Sequence, residues 1–338
     1  MTIYAFDDID DALDATRAFL WPFDLATWLK LALVVFFLGG TGSVNPFQFS
    51  SNVPSTGGPS DPVTPTGPGL PSLSEIVNAL TPIEWAIVGA FVGAVLLLGF
   101  GFAFVGAVME FVFVESIRHE RVSIREYWGE RWRQGGRLFG FRLVVGLLSL
   151  AVAGGVVLAA AWPLLTGDGG FSIALLLLAI LVAIGVALVS ALLNGFTTQF
   201  IVPVMVAEDR AVLDAWRRFW PTVTGQWKQY LAYAFMRIVL TIAVGIVVGI
   251  ATTIAALVLA IPFVIVGIVG VALLSVSEIA GGAVIAIAIV LFTLILIVLS
   301  LLVAVPVQTY LRYYALLVLG DTEAEFDLVA ERRRAIRE

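Results

Sequence analysis

The organisation of this chain is decided by residues 200–237, FIVPVMVAEDRAVLDAWRRFWPTVTGQWKQYLAYAFMR. An apolar run ends there at Glu208 and Asp209, and a short segment rich in Trp and Arg follows before the next apolar run begins near Trp227. Tryptophan gathers at the ends of membrane helices, and arginine gathers at their cytoplasmic ends. We therefore interpret the stretch as a cytoplasmic elbow between two membrane helices.

The composition of the whole chain predicts an integral membrane protein. Of its 338 residues, 60% are hydrophobic and 13% are charged, whereas a soluble domain is roughly 45–50% apolar and 25% charged. The excess lies in long apolar runs, which is the pattern of membrane-spanning helices. We predict an all-α, polytopic helical bundle in the cell membrane, with membrane lipids as partners and no nucleic acid. The sequence leaves protein partners and homo-oligomers open.

Six spans are predicted in a single transmembrane domain, 1–320, which a cytoplasmic tail, 321–338, follows. The predicted outer loop, 41–82, is dense in Pro, Gly, Ser and Thr, and we expect it to be disordered because it cannot bury enough apolar surface. Pro262 divides a long uncharged run, and we interpret 262–276 as an apolar segment at the outer face, with re-entrant, interfacial and spanning alternatives open. The predicted spans cover residues of about 25–40, 83–114, 138–161, 171–206, 230–259 and 281–319.

The distribution of basic residues predicts the orientation. All 19 Lys and Arg residues lie near the N-terminus, in 118–142, in 210–237 or from Arg312 onward. The three loops that alternate with these segments contain no Lys or Arg. Because basic residues favour the cytoplasmic side, we predict that both termini are cytoplasmic, which requires an even number of spans.

The elbow has a counterpart near the N-terminus. LDATRAFLWP (13–22) aligns with LDAWRRFWP (213–221) when one residue is inserted, and residues 124–137 follow the same pattern more loosely. These matches predict a threefold repeat of an amphipathic helix plus a helical hairpin, with the symmetry axis along the membrane normal. The alternative is that every cytoplasmic elbow between spans is amphipathic and rich in Trp and Arg.

The residue inventory argues against catalysis and metal binding. The chain has no cysteine, and His119 is its single histidine, so thiolate chemistry and histidine metal clusters are excluded. No nucleophile motif, phosphate-binding loop or metalloprotease motif occurs. We therefore expect no enzyme activity, no cofactor and no metal site.

A few ionisable residues lie inside the predicted spans: Glu110, Arg142, Arg237 and Arg312. Ionisable groups are costly in hydrocarbon and are functional candidates by default. The alternative is that the arginines extend to the nearby cytoplasmic boundary. Our hypothesis is an inward-facing site for an anionic headgroup, formed by a polar cluster of Glu110, Arg237, Arg312, Gln199 and Gln308, with Asn194 nearby.

Two prolines lie at comparable depth in the fourth and sixth predicted spans. Pro203 and Pro306 each remove a backbone hydrogen-bond donor from a helix. In a membrane the freed carbonyl groups need other partners. We therefore expect local distortion at these positions, with neighbouring groups bonding to the freed carbonyls.

The segment IVPVMVAEDRAVLDAWRRFWPTVTGQW (201–227) carries a resemblance to known families. Its P-x-x-x-x-E, followed by an Ala/Trp/Arg helix and a Trp entering a span, resembles the membrane domain attached to some glycerophosphoryl diester phosphodiesterases. It also resembles stand-alone multi-pass families of unknown function that are common in haloarchaea. The 17 Arg against 2 Lys and the net charge of −6 fit a salt-adapted archaeal proteome and also a GC-rich genome.

The resemblance implies an architecture and a role close to lipid, without an activity, because the phosphodiesterase's catalytic domain is a separate soluble barrel that has no counterpart here. We rank a non-enzymatic membrane scaffold or lipid-associated accessory protein first. The alternative function is a transporter or channel for a small molecule or ion. A continuous polar path across the spans would favour transport.

Overall fold

The fold is seen in a computed structural model, which describes residues 4–39, 81–166 and 173–338. Within these ranges the chain is all-α. In chain order the elements are α1 (Tyr4–Leu20), α2 (Leu25–Gly39), α3 (Pro82–Arg118), α4 (Ile124–Thr166), α5 (Ile173–Phe196), a π-helical turn (Thr197–Ile201), α6 (Val202–Glu208), α7 (Val212–Gly225), α8 (Trp227–Leu274), α9 (Glu278–Thr322), a 3₁₀ turn (Ala324–Phe326) and α10 (Ala330–Arg337).

Five helical stretches in the described residues are long and apolar enough to cross a membrane: α3, α4, α5 with the π turn and α6, α8, and α9. The first predicted span corresponds to α2, which is apolar but has only 15 residues. At 1.5 Å per residue it is about 22 Å long, shorter than a hydrocarbon core of about 30 Å. The count of six spans therefore stays a prediction. Of the predicted loop 41–82, only residues 81 and 82 are among the described residues.

The predicted break at Pro262 is wrong. Helix α8 runs unbroken for 48 residues with Pro262 inside it, so residues 262–274 continue the predicted span 230–259. A proline removes one hydrogen bond from a helix, whereas ending the helix would leave as many as four carbonyls without partners in an apolar environment. The same holds in α4, which joins the predicted amphipathic segment 124–137 to the span 138–161 and continues through Pro163.

The buried core lies at one end of the bundle, which we call the charged end. It is formed by α1, α2, α6, α7 and the adjoining ends of the long helices, and its largest buried runs are Gly106–Ile117 and Leu311–Gly320. At the opposite end, the far end, the most apolar windows of the five long helices are at most 6% buried. Exposed Leu, Ile and Val side chains along these helices suit contact with lipid, which is as apolar as they are.

Helices α3 and α4 cross very closely near the charged end. A Cβ atom on Gly135 would lie 2.5 Å from Val108 Cγ2 and 2.7 Å from Val108 Cα. The two backbones can approach this closely because residue 135 has no side chain. On the adjacent residue, Gly136, a Cβ would lie 3.6 Å from Phe104 Cε2, an ordinary contact. The crossing brings Glu110 of α3 and Arg142 of α4, each within two turns of it, to the same site.

Candidate functional site

A buried carboxylate between two guanidinium groups forms the centre of the candidate site. Arg312 Nη2 makes an ion pair with Glu110 Oε2, and Arg142 Nη2 lies 3.2 Å from Glu110 Oε1. The side chains are 2% exposed for Glu110, 5% for Arg312 and 15% for Arg142. Charges this deep are maintained only when they are paired and hydrogen-bonded. The triad thus joins three long helices, α3, α4 and α9.

The π turn supplies further partners for both arginines. Arg142 Nη2 donates to Thr198 Oγ1 at 2.6 Å, and Arg312 Nη1 donates to the Thr198 carbonyl at 2.6 Å. That carbonyl lacks its usual helical partner because the Val202 N–H bonds to the carbonyl of Thr197 instead. Residue 203, the next possible donor, is proline and has no N–H. Arg312 therefore satisfies a carbonyl that Pro203 and the π turn leave open.

The helix of the elbow, α7, supports the π turn from the charged end. Trp216 Nε1 donates to Thr197 Oγ1 at 3.2 Å, and the rings of Phe219 and Phe200 stack with centroids 5.7 Å apart. Ala215 and Phe219 are fully buried. The apolar face of this helix thus packs on the ends of the long helices, and its aromatic residues contact the π turn on both sides of Thr198.

A cleft of about 840 Å³ opens beside the triad. Its charged lining consists of one carboxylate, Glu110, and three arginines, which gives a formal charge of +2. Such an imbalance in a partly buried cavity favours an anionic occupant. The full lining is Leu38, Phe100, Ala103, Glu110, Phe139, Arg142, Leu143, Gly146, Ser149, Leu150, Ala153, Val186, Ala187, Ser190, Ala191, Asn194, Gly195, Thr198, Gln199, Arg237, Gln308 and Arg312.

The cleft changes from polar to apolar along its length. At the charged end it is lined by the arginines and by the amides of Asn194, Gln199 and Gln308. Further towards the far end α4 contributes Gly146 to Ala153, a rise of about 10 Å along the helix. The residues there are mostly Leu, Val and Ala, with Ser149 bonded to its own helix through Val145 O at 2.7 Å. The cleft is therefore amphipathic.

The structure places all five residues of the predicted polar cluster on this one cleft: Glu110, Arg237, Arg312, Gln199 and Gln308. Of the two partners considered for Glu110, Arg312 forms the ion pair, whereas Arg237 Nη1 donates to the Tyr233 hydroxyl at 3.0 Å. The predicted cluster omitted Arg142 and Thr198. The signal for Arg142 was its place among the few ionisable residues inside spans. Thr198 had no comparable signal, because its role depends on a backbone carbonyl.

A second charged cluster ties the tail to the first helix. Arg337 lies 2.8 Å from Asp8 Oδ1, 2.7 Å from Asp11 Oδ2 and 2.8 Å from Asp321 Oδ2. Asp8 is fully buried, and this burial, followed by the negative charge of Asp321, raises the pKa of Asp8 from 3.8 to about 8. The Arg337 guanidinium has a pKa above its usual value, chiefly through its hydrogen bond to Asp321. This cluster holds α1, α9 and α10 together and lies apart from the cleft.

Comparison with known proteins gives a family and no activity. The model of the Family of unknown function (DUF7544) matches residues 3–329, nearly the whole chain. No curated protein and no solved structure matches the chain. Among the described residues, no group of three or more His, Cys, Asp or Glu side chains could hold a metal ion.

Proposed function

The chain belongs to the DUF7544 family, and we propose that it is a non-enzymatic, lipid-associated membrane protein that holds an anionic amphiphile in the cleft beside Glu110, Arg142 and Arg312. The family match and the five long apolar helices fit an integral membrane protein. A lipid matches both parts of the cleft, because its headgroup can contact the cationic end and its chain can contact the apolar wall. In this role the protein would serve as a scaffold or accessory component of the membrane.

The observation that carries the proposal is the amphipathic lining of the cleft. A soluble anion would use the arginines but would leave the apolar wall from Leu143 to Ala153 uncovered. A lipid with its headgroup at the arginines would place an acyl chain along that wall. Because the acyl chain of a membrane lipid already lies in hydrocarbon, the wall contributes packing contacts to it and little hydrophobic gain. Glu110, which pairs with Arg142 and Arg312, lies about 12 Å from the charged end of α3, counted to Arg118 at 1.5 Å per residue.

The topology is part of the same proposal. We assign α2 as a sixth span, which leaves both termini cytoplasmic and puts the headgroup of a bound lipid in the inner half of the cell membrane. The positive-inside distribution of Lys and Arg supports this assignment. The family match carries neither a haloarchaeal origin nor a likeness to the phosphodiesterase membrane domain, and both remain proposals that rest on residues 201–227 and on the low Lys content.

The threefold repeat also remains a proposal. In its favour, the aligned residues Ala15 and Ala215 are both fully buried. The copies differ at their Trp-Pro pairs: α1 ends at Leu20, before Pro22, whereas Pro221 lies inside α7. The third copy, 124–137, has no break before its span. The three segments therefore differ in local structure, which counts against an exact repeat.

Transport of a small molecule or ion is the second candidate, and the size of the cleft favours it. Ser149 and Ser190 extend the polar lining away from the arginines. In the described residues the polar lining stops there, and the remaining lining towards the far end is apolar. A crossing path would have to open elsewhere. Flux of a headgroup-sized anion through proteoliposomes would favour transport over a holding role.

Purification from native membranes followed by mass spectrometry of the bound lipids tests the proposal. We expect the wild-type protein to retain an anionic amphiphile in a proportion well above that of the bulk membrane. Arg142→Gln should abolish this enrichment because the cleft loses a cation. Arg133→Gln is the matched control, since Arg133 lies on the same helix, is exposed and is outside the cleft lining. Bound lipid with the composition of the bulk membrane would overturn the proposal.

A further inference from the structure

Three polar atoms in the cleft make no hydrogen bond with any of the described residues. They are Arg142 Nη1, Asn194 Oδ1 and Gln199 Oε1, and each atom is buried. Gln199 as a whole residue is 7% exposed. A buried polar atom without a partner costs about 1–3 kcal/mol, and most such atoms in proteins are paired. Their common place on one cleft indicates that a bound molecule supplies the partners.

The neighbouring bonds hold these atoms in position. Thr198 Oγ1 accepts from Arg142 Nη2 at 2.6 Å, which orients the guanidinium and leaves Nη1 to the cleft. Asn194 Nδ2 donates to the Ser190 carbonyl at 2.9 Å, which leaves Oδ1 on the other side of the amide. Asn194 lies four residues before Thr198, so the two side chains share one face of the helix. Arg142 Nη1 is thus a donor without an acceptor, and Asn194 Oδ1 is an acceptor without a donor.

The three atoms together suit a ligand with two kinds of group. Arg142 Nη1 needs an acceptor, and an oxyanion suits it because a guanidinium bonds most strongly to charged oxygen. The amide oxygens of Asn194 and Gln199 need donors. An ammonium group could donate, but the net positive charge of the lining disfavours a cation there. Hydroxyl groups are neutral donors and meet no such penalty.

We propose, on the basis of the function proposed above, that the cleft selects an anionic lipid whose headgroup is a phosphate ester of a polyol. The phosphate lies against Arg142 and Arg312, and hydroxyl groups of the polyol donate to Asn194 Oδ1 and Gln199 Oε1. The acyl chain lies along the α4 wall. A plain phosphate would satisfy the arginine and leave both amides without donors.

Two lipids with the same charge and the same chains separate this inference from the function it rests on. Phosphatidylglycerol carries two headgroup hydroxyls, and phosphatidylpropanol carries none. Delipidated full-length protein in detergent is titrated with each lipid, and the bound states are counted by native mass spectrometry. Phosphatidylcholine serves as the zwitterionic reference. Soluble glycerol phosphate tests whether a free anion suffices.

We expect the wild-type protein to bind phosphatidylglycerol about five- to tenfold more tightly than phosphatidylpropanol, as one or two hydrogen bonds provide. The variant Asn194→Leu/Gln199→Leu should bind the two lipids equally. Binding of phosphatidylpropanol by this variant, at whatever affinity, would show that the cleft still forms. Soluble glycerol phosphate should compete weakly, because it lacks the chain.

Each other outcome has a distinct meaning. Equal binding of the two anionic lipids by the wild type overturns the polyol inference and leaves the anionic-lipid function standing. Equal binding of phosphatidylcholine and both anionic lipids overturns the proposed function as well. Strong competition by glycerol phosphate identifies a soluble anion as the ligand and overturns the lipid assignment. If the Asn194→Leu/Gln199→Leu variant keeps the preference for phosphatidylglycerol, the two amides do not bind the headgroup hydroxyls, and the inference is wrong.

Discussion

Arg312 Nη1 lies 2.6 Å from the carbonyl oxygen of Thr198, although 114 residues separate them in the chain. The carbonyl is open to Arg312 because the π turn redirects the Val202 N–H and because Pro203 has none. The same guanidinium pairs with Glu110. Arg312 of α9 therefore contacts α3 through an ion pair and the π turn through a hydrogen bond to a backbone carbonyl. The geometry of the cleft depends on that irregular turn as much as on the arginines.

Breaking the Glu110–Arg312 pair should be strongly destabilising. Glu110→Gln leaves Arg312 and Arg142 buried without a countercharge, and we expect it to lower the free energy of unfolding by about 3 kcal/mol. Arg312→Met should cost a similar amount because it leaves the carboxylate with one partner fewer. The double variant should cost less than the sum, with a coupling energy of about 1–3 kcal/mol. Unfolding of each protein in detergent micelles measures these values.

The control for this comparison of single and double variants is Glu331→Gln, at an exposed position on α10. It should change the free energy of unfolding by no more than about 0.5 kcal/mol. Strictly additive costs in the double variant would mean that Glu110 and Arg312 do not stabilise each other, whatever their distance.

Pro203→Ala should weaken the hydrogen bond between Arg312 Nη1 and the Thr198 carbonyl. The alanine restores a backbone N–H five residues after Thr198, where a π turn aims it at the Thr198 carbonyl. It then competes with Arg312 Nη1, and we expect binding of an anionic lipid to fall about threefold. Hydrogen exchange at residue 203 would report the new bond, and native mass spectrometry would report the binding.

Pro306→Ala in α9 is the matched control, because Pro306 is also inside a long helix but is outside the cleft lining. Its lipid binding should equal that of the wild type. A protected amide at residue 203 with unchanged lipid binding would show that the Thr198 carbonyl contributes nothing to the site.

Two adjacent glycines should respond in opposite ways to alanine. Gly135→Ala forces a methyl group to within 2.5 Å of Val108 Cγ2, and we expect a loss of about 1–3 kcal/mol in the free energy of unfolding. Gly136→Ala has room for its methyl and should stabilise helix α4 by as much as about 1 kcal/mol. Thermal unfolding in detergent compares the pair. Equal shifts for both variants would contradict the close α3–α4 crossing.

The pH dependence of stability should contain a contribution from Asp8. Its pKa is about 8 in the folded protein against 3.8 ordinarily, so between these values the folded state binds more protons than the unfolded state. Stability must then fall as pH rises from about 4 to about 8, and the fall stops above the folded pKa. Asp8→Asn cannot lose a proton and should be more stable than the wild type by about 2 kcal/mol at pH 8.5.

Unfolding of the wild type and Asp8→Asn at pH 5, 7 and 8.5 tests this contribution. The two proteins should agree best at pH 5 and diverge as the pH rises. Asp14→Asn, at an exposed position of the same helix, should follow the wild type. Parallel curves for wild type and Asp8→Asn would exclude a buried, protonated Asp8.

Hydropathy was sufficient to predict the helical class and the long helices, because apolar runs in a membrane chain have helix as their main solution. It was also sufficient to group Glu110 with Arg237 and Arg312, since an acid and a base at similar depth lower each other's cost of burial, but it left open which arginine pairs with Glu110. It failed at Pro262. In soluble proteins a proline often ends a helix, but here the helix continues through the proline because its apolar surroundings offer the backbone no other hydrogen-bond partners.

The parts of the site that sequence could not predict depend on tertiary contact. Arg142 joins Glu110 because α3 and α4 cross closely at Gly135, and this crossing leaves no mark on hydropathy. Thr198 acts through a carbonyl whose availability depends on which amide Val202 donates to. The burial of Asp8 beside Arg337 brings together positions more than 300 residues apart, and no local pattern predicts such a pair.

The contact between α1 and the end of the chain determines when the protein can finish assembling. Phe19 of α1 packs edge-on against Tyr313 of α9 with ring centroids 6.1 Å apart, and Asp8 and Asp11 pair with Arg337 of α10. A ribosome makes α1 before it makes these partners. The buried face of α1 therefore has to wait, uncovered, through the synthesis and insertion of every intervening span. The charged end of the bundle can close only after α10 has been made.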